Sequence, residues 1–118
     1  MDEFKMSRHL AKLSKRKDQV MLTLRYLEQE RHQVEMHTEW LNQSAYRSRA
    51  NLLRHLMEWY LEEKAQIEEA LARIGEKTYG LCLACRQPIE AERLEASPET
   101  GFCGACQSLQ DGLRARAR

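Results

Sequence analysis

The segment from Cys82 to Cys106 reads CLACRQPIEAERLEASPETGFCGAC and contains every cysteine of the 118-residue chain. Two Cys-x-x-Cys pairs are separated by the seventeen residues 86–102, a spacing typical of zinc sites with four thiolates. Such a site has no open position for water or substrate, so we expect one structural Zn²⁺. An iron centre and a redox-active dithiol are the alternatives. A redox-active dithiol requires a thioredoxin-like βαβ context, which this sequence lacks. The expected ligands are Cys82, Cys85, Cys103 and Cys106.

A change in composition marks a boundary just before this segment. All five glycines and both prolines follow residue 74, as do the cysteines. Turn-forming residues around Pro88 and Pro98 predict a short hairpin or loops between the two cysteine pairs, and residues 107–118 read as a helix. We therefore predict two modules, a helical one over residues 1–77 and a four-cysteine zinc finger with a C-terminal helix over residues 78–118.

Residues 1–77 carry two apolar stripes that repeat every 3.5 residues, from Met6 to Leu41 and from Tyr46 to Ile74. The polar segment 42–44 between them favours a turn. The prediction is a mainly α fold, in which a long antiparallel two-helix coiled-coil hairpin has its tip near residues 39–46. An intermolecular coiled coil with one long helix per chain is the alternative. The hairpin predicts five apolar layers: Leu41 with Tyr46, Val34 with Leu53, Leu27 with Tyr60, Val20 with Ile67, and Leu13 with Ile74.

Four large apolar residues lie off these stripes, namely Trp40, Leu52, Leu56 and Trp59. A two-helix hairpin leaves them partly exposed. One possibility is that they are covered, by a third element, by the zinc finger or by a dimer contact. The alternative is that they form a surface that binds a partner.

Charge and composition exclude several classes of function. The 19 Lys and Arg nearly balance the 18 Asp and Glu, so no global basic field attracts nucleic acid, and sequence-specific DNA binding is not expected. No apolar stretch approaches a membrane span, and the first residues lack the layout of a signal peptide, which predicts a cytoplasmic protein. The four histidines are dispersed and accompany no nucleophile, so we interpret them as surface residues and do not expect an enzyme.

From Arg73 through the segment TYGLCLAC, and on through Arg93-Leu94-Glu95 to CGACQ at 103–107, the sequence resembles the DksA/TraR family of four-cysteine zinc-finger proteins. The resemblance is dense over residues 73–107, and the hairpin extends it over nearly the whole chain. It implies a bacterial transcription regulator that binds RNA polymerase, and it implies that the four cysteines are the zinc ligands.

The resemblance also implies that the hairpin enters the secondary channel of the polymerase and that its tip acts near the active site. The family's tip reads Asp-x-x-Asp-x-Ala, and Glu39, Asn42 and Ser44 occupy these three positions here, followed by Arg47 and Arg49. Only one acid is left at this predicted partner-binding tip. The basic stretch often present in the family's second helix is also absent, so no ppGpp-binding residue is carried over and a ppGpp response is doubtful.

Three hypotheses of function follow. The first is a DksA-like, monomeric regulator of RNA polymerase. The second is a zinc-stapled interaction or scaffold protein of the same fold that uses its exposed aromatic residues on a different protein. The third is direct nucleic-acid binding. Its only support is three separate basic clusters, one at Lys12–Lys17, one near the tip and one at the C terminus.

Overall fold

The computed structural model describes residues 1–36 and 43–117 and contains four helices. They are α1 (Glu3–Met36), α2 (Gln43–Glu76), α3 (Ala91–Ala96) and α4 (Gly104–Ala117). The predicted mainly α fold is confirmed. Within those residues, β pairing is limited to one isolated antiparallel bridge between Leu81 and Pro88. No helix among them is long and apolar enough to cross a membrane.

The ends of the two long helices follow from local chemistry. The Asp2 carboxylate accepts the backbone N–H of Lys5 at 2.8 Å, which satisfies one free donor at the start of α1. At the end of α2, Lys77 has φ +65° and the N–H of Thr78 donates to the carbonyl of Arg73 at 2.9 Å. This left-handed residue after the last turn ends the helix and redirects the chain into the cysteine segment.

Contacts divide the chain into two units, residues 16–65 and residues 1–15 with 66–118. In the unit of residues 16–65, α1 and α2 run antiparallel. Arg16 pairs with Glu63 at 2.5 Å, and Arg49 pairs with Glu30 at 2.7 Å. The core of this unit contains the predicted layers of Val34 with Leu53 and of Leu27 with Tyr60. The full cluster consists of Leu27, Val34, Leu53, Tyr46, Met57 and Tyr60.

In the unit of residues 1–15 and 66–118, the apolar stripes are buried unevenly. Leu13, Ile67 and Ala70 are fully buried, whereas Leu10 is 42% exposed. Membership of a stripe therefore does not decide by itself whether a residue is buried. Leu41, which is predicted to pair with Tyr46, lies outside the described part of the chain. The predicted tip positions Glu39 and Asn42 lie outside it as well.

Three of the four apolar residues off the stripes are exposed, and the fourth, Trp40, lies outside the described residues. Leu52 and Trp59 are 58% and 70% exposed, and Leu56 on the same face of α2 is 36% exposed. No part of the chain that the structure describes covers this face. Arg31 also occupies a position of the first stripe, but its side chain is exposed. It forms ion pairs with Glu28 and Glu35 of its own helix.

Candidate metal centre

The first cysteine pair lies in a tight loop after α2. Gly80 has φ +89°, a conformation that side chains disfavour, and Arg86 has φ +64°. The N–H of Cys82 donates to the carbonyl of Gln87 at 2.8 Å, and the N–H of Arg86 donates back to Cys82 at 3.0 Å. These bonds close the loop, so that Cys82 and Cys85 face the same point.

The second pair is positioned by the start of α4. The carbonyl of Cys103 accepts the N–H of Gln107 at 2.9 Å, which places Cys103 just before the first turn and Cys106 within it. The Glu90 carboxylate accepts the backbone N–H of Gly104 at 3.3 Å and so satisfies a free donor at this helix end. The helix start therefore fixes both sulfur atoms relative to each other.

The four sulfur atoms lie within 4.8 Å of one another. A tetrahedral Zn²⁺ with Zn–S bonds of about 2.3 Å requires S···S distances of about 3.8 Å. The Sγ atoms of Cys85 and Cys103 are 3.8 Å apart, which matches that edge. The residues therefore fit the metal, and the chain binds one structural Zn²⁺ through Cys82, Cys85, Cys103 and Cys106.

The protonation chemistry of the cluster also calls for a cation. Backbone N–H groups of Cys85 and Cys103 lower the pKa of the Cys82 thiol to about 6. Hydrogen bonding to the Cys103 and Cys82 sulfurs raises the pKa of Cys106 to about 12. Four adjacent sulfurs cannot all become thiolates on their own, because each negative charge disfavours the next. A divalent ion removes this conflict and binds them all as thiolates.

The segment between the cysteine pairs differs from the sequence prediction. Residues 91–96 form α3, where a hairpin or loops were predicted. Leu94 of this helix is 2% exposed, and the Arg93 Nε donates to the carbonyl of Phe102 at 2.9 Å. Six residues form less than two turns, too few for a periodic pattern. The apolar Leu94 among charged residues was the one signal that could have indicated this helix.

Three further hydrogen bonds connect this segment to the loop after α2 and to α2 itself. The Tyr79 hydroxyl donates to the carbonyl of Pro98 at 2.7 Å, and Tyr79 is 6% exposed. The Arg73 guanidinium reaches the carbonyls of Glu99 and Thr100 at 3.4 Å each. The finger is therefore fixed by polar contacts to backbone carbonyls as well as by its metal.

His9 was wrongly predicted to be a surface residue. It is 2% exposed, and its ring centroid lies 5.8 Å from that of Tyr79. Its Nε2 lies 3.8 Å from Oε1 of Glu95. That oxygen accepts a hydrogen bond from Arg8, and Oε2 of Glu95 accepts one from Lys12. Burial lowers the pKa of His9, and the Glu95 charge opposes that effect. Sequence reasoning missed this cluster, although His9 precedes the buried Leu13 by one helical turn.

The predicted tip residues are only partly described. Glu39 and Asn42 lie outside the described residues. Ser44, Arg47 and Arg49 belong to the first two turns of α2 and are exposed, and the Arg49 guanidinium is held by Glu30.

Comparisons with known proteins agree with this geometry. Residues 77–111 match the family model of the prokaryotic dksA/traR C4-type zinc finger. The transcription factor DksA2 from Pseudomonas aeruginosa superimposes with a TM-score of 0.85 at 19% identity, over 97% of this chain and 88% of that one. The Dks protein from Chlamydia trachomatis L2 superimposes with a TM-score of 0.56 at 22% identity, over 96% of this chain and 95% of that one. No curated protein sequence matches. The cysteine segment thus matches the dksA/traR C4-type zinc finger, and the chain has the fold of DksA2, in agreement with the resemblance of its sequence to the DksA/TraR family.

Proposed function

We propose that this chain is a DksA-like transcription regulator that binds RNA polymerase. The observation that carries the proposal is the combination of a dksA/traR zinc finger with a DksA2-like fold over 97% of the chain. The related Chlamydia protein is described as an RNA polymerase binding protein and transcriptional regulator. The chain then acts in the cytoplasm as a monomer, with zinc in a purely structural role.

The proposed mechanism uses the hairpin of α1 and α2, whose connection enters the secondary channel of the polymerase. Arg47 and Arg49 are exposed at the start of α2, and Glu30 holds the second of them. Glu39 is the one acid among the three positions carried over from the family motif. The tip therefore offers the active-site magnesium little negative charge, and contact to the polymerase depends more on hydrogen bonding by Asn42 and Ser44.

Binding and regulation are tested separately. A pull-down with core polymerase at low salt tests binding. In-vitro transcription from a ribosomal and an amino-acid-biosynthesis promoter, with and without ppGpp, tests regulation. The tip variant is Glu39→Ala/Asn42→Ala, and its matched control is Glu62→Ala/Asn51→Ala, which changes the same residue types in exposed positions of α2.

The expected result is that the wild type and the control are retained by polymerase and shift transcription equally. The tip variant is retained but shifts transcription less. No retention of the zinc-loaded wild type contradicts the proposal. Equal activity of the tip variant and the control contradicts the role assigned to the tip. A response that is the same with and without ppGpp agrees with the missing basic stretch in α2.

A second candidate function is that of a zinc-stapled interaction protein, favoured by the exposed face of Leu52, Leu56 and Trp59. These residues are spaced i, i+4, i+7 and form one apolar stripe on α2, the pattern by which helices dock into grooves. If the folded wild type has no effect on transcription, and Trp59→Ala removes a different partner, this candidate replaces the first.

A further inference from the structure

The unit of residues 16–65 contains an open groove of about 390 Å³ between α1 and α2. The α2 side of this groove runs from Tyr46 to Leu61. Its floor consists of buried or half-buried apolar residues, namely Val34, Ala50, Leu53 and Met57. Leu61 at its end is 51% exposed, so the groove leaves large apolar groups in contact with water.

The side of α2 that lines the groove carries a second stripe with the spacing of a coiled coil. It consists of Ala50, Arg54, Met57 and Leu61, which follow one another at intervals of four, three and four residues. Ala50 and Met57 also belong to the stripe that faces α1, and they are half-buried, whereas Arg54 and Leu61 are exposed. This side of α2 is therefore able to pack against a further helix.

The charged residues of the groove differ in how they are paired. Arg31 and Glu35 form an ion pair with each other across one turn of α1. Arg54 forms no ion pair or hydrogen bond within residues 1–36 and 43–117. Glu58 has His55 at 4.0 Å as its ion-pair partner. The groove thus offers one unpaired cation and, one turn further along α2, one weakly paired carboxylate.

This arrangement is complementary to itself when a second α2 helix runs antiparallel to the first. A twofold axis between residues 55 and 56 places Arg54 of one copy beside Glu58 of the other, and the symmetry repeats this contact. The same axis places the small Ala50 opposite the large, exposed Leu61. Met57 lies near the axis, where the two copies of this side chain meet. Opposite charges and unequal sizes are thus matched in one register.

We propose that a second copy of this chain docks in the groove, so that the two α2 helices pack antiparallel about a twofold axis. Residues 50–61 span about 17 Å of helix, and a contact of this length falls short of the roughly 1,200–2,000 Å² that stable interfaces bury. The dimer is therefore weak, with a Kd on the order of 0.1 mM. At low micromolar concentrations the chain is a monomer, the form proposed to act on polymerase, and the docking does not depend on polymerase binding.

Sedimentation equilibrium of the zinc-loaded full chain tests the association. Between about 10 µM and 1 mM, a range that brackets the expected Kd, the average mass of the wild type should rise from that of a monomer toward that of a dimer. Arg54→Glu places two carboxylates together at each contact, and Glu58→Arg places two guanidinium groups there. Each reversal should weaken association at least tenfold. Glu62→Arg is the matched control, because Glu62 is exposed on α2 and does not line the groove.

Mixing the two charge reversals tests the register. In an equimolar mixture of Arg54→Glu and Glu58→Arg, both contacts across the axis join opposite charges, so the mixture should associate as tightly as the wild type. Leu61→Ala removes the large side chain without changing charge and should weaken association. Trp59→Ala changes the other exposed face of α2 and should not affect it. Circular dichroism and one zinc per chain verify that each variant is folded.

Several results overturn the proposal. One is a wild type that remains monomeric at 1 mM, a concentration about tenfold above the expected Kd. A second is association that Trp59→Ala abolishes, which assigns the contact to the face of Leu52, Leu56 and Trp59. A third is association of Arg54→Glu alone that is as tight as that of Glu62→Arg. Restored association in the mixture of two variants that are each monomeric alone supports the proposal.

Discussion

Leu13 and Leu10 test how one helix covers an apolar stripe in the unit of residues 1–15 and 66–118. Both occupy stripe positions, but Leu13 is 0% exposed and Leu10 is 42% exposed. Leu13→Ala removes fully buried methyl groups and leaves a cavity, which costs about 2–5 kcal/mol of unfolding free energy. Leu10→Ala removes atoms that are partly hydrated in the folded chain and keeps high helix propensity, so its cost should stay below about 1 kcal/mol.

For a chain of 118 residues, each kcal/mol corresponds to a Tm shift of about 4 °C. Leu13→Ala should therefore lower Tm by roughly 8–20 °C and Leu10→Ala by less than about 4 °C. Circular dichroism melts and urea titrations in excess zinc measure both, with zinc content verified for each variant. Equal losses for the two variants, or a larger loss for Leu10→Ala, would refute the assigned burial of this face of α1.

Three further predictions concern the finger and its surroundings. Cys85→Ser removes one thiolate, so metal analysis should find well below one zinc per chain, and amide signals of residues 77–111 should lose dispersion. Burial lowers the pKa of His9 from 6.5, so the unfolded chain binds the proton more readily and the unfolding free energy falls as pH drops below about 6.5. His9→Phe should reduce that fall between pH 7.5 and 5.5, and an unchanged slope in urea midpoints would contradict it. Tyr79→Phe leaves the carbonyl of Pro98 unpaired and should cost about 1–3 kcal/mol, whereas Tyr26→Phe at an exposed position should cost less than about 0.5 kcal/mol.

The features predicted well from sequence are those with a local and repeated signal. The 3.5-residue spacing places Val34 against Leu53 and Leu27 near Tyr60, and both layers belong to one buried cluster. Metal-ligand spacing is equally local, because each Cys-x-x-Cys pair is positioned by its own loop or helix start. The four sulfur atoms consequently lie where the spacing predicts them, within 4.8 Å of one another.

The features missed depend on residues far apart in the chain. The burial of His9 requires Tyr79, seventy residues later, and Glu95 meets its partners Arg8 and Lys12 across more than eighty residues. No periodic pattern contains such information. Stripe membership likewise does not separate Leu13 from Leu10, because both fit the repeat and only the neighbouring surface decides which is covered.

The zinc site has consequences beyond the residues that bind the metal. Residues 1–15 belong with residues 66–118, so the start of α1 and the end of α2 share a unit with the finger. The polar links are specific: Arg8 and Lys12 of α1 hold Glu95 of α3, and Arg73 of α2 reaches the carbonyl of Glu99. Zinc fixes the segment that carries both acceptors, because few buried side chains lie between the cysteine pairs. A structural metal site can therefore control how the start of α1 and the end of α2 are held within this unit.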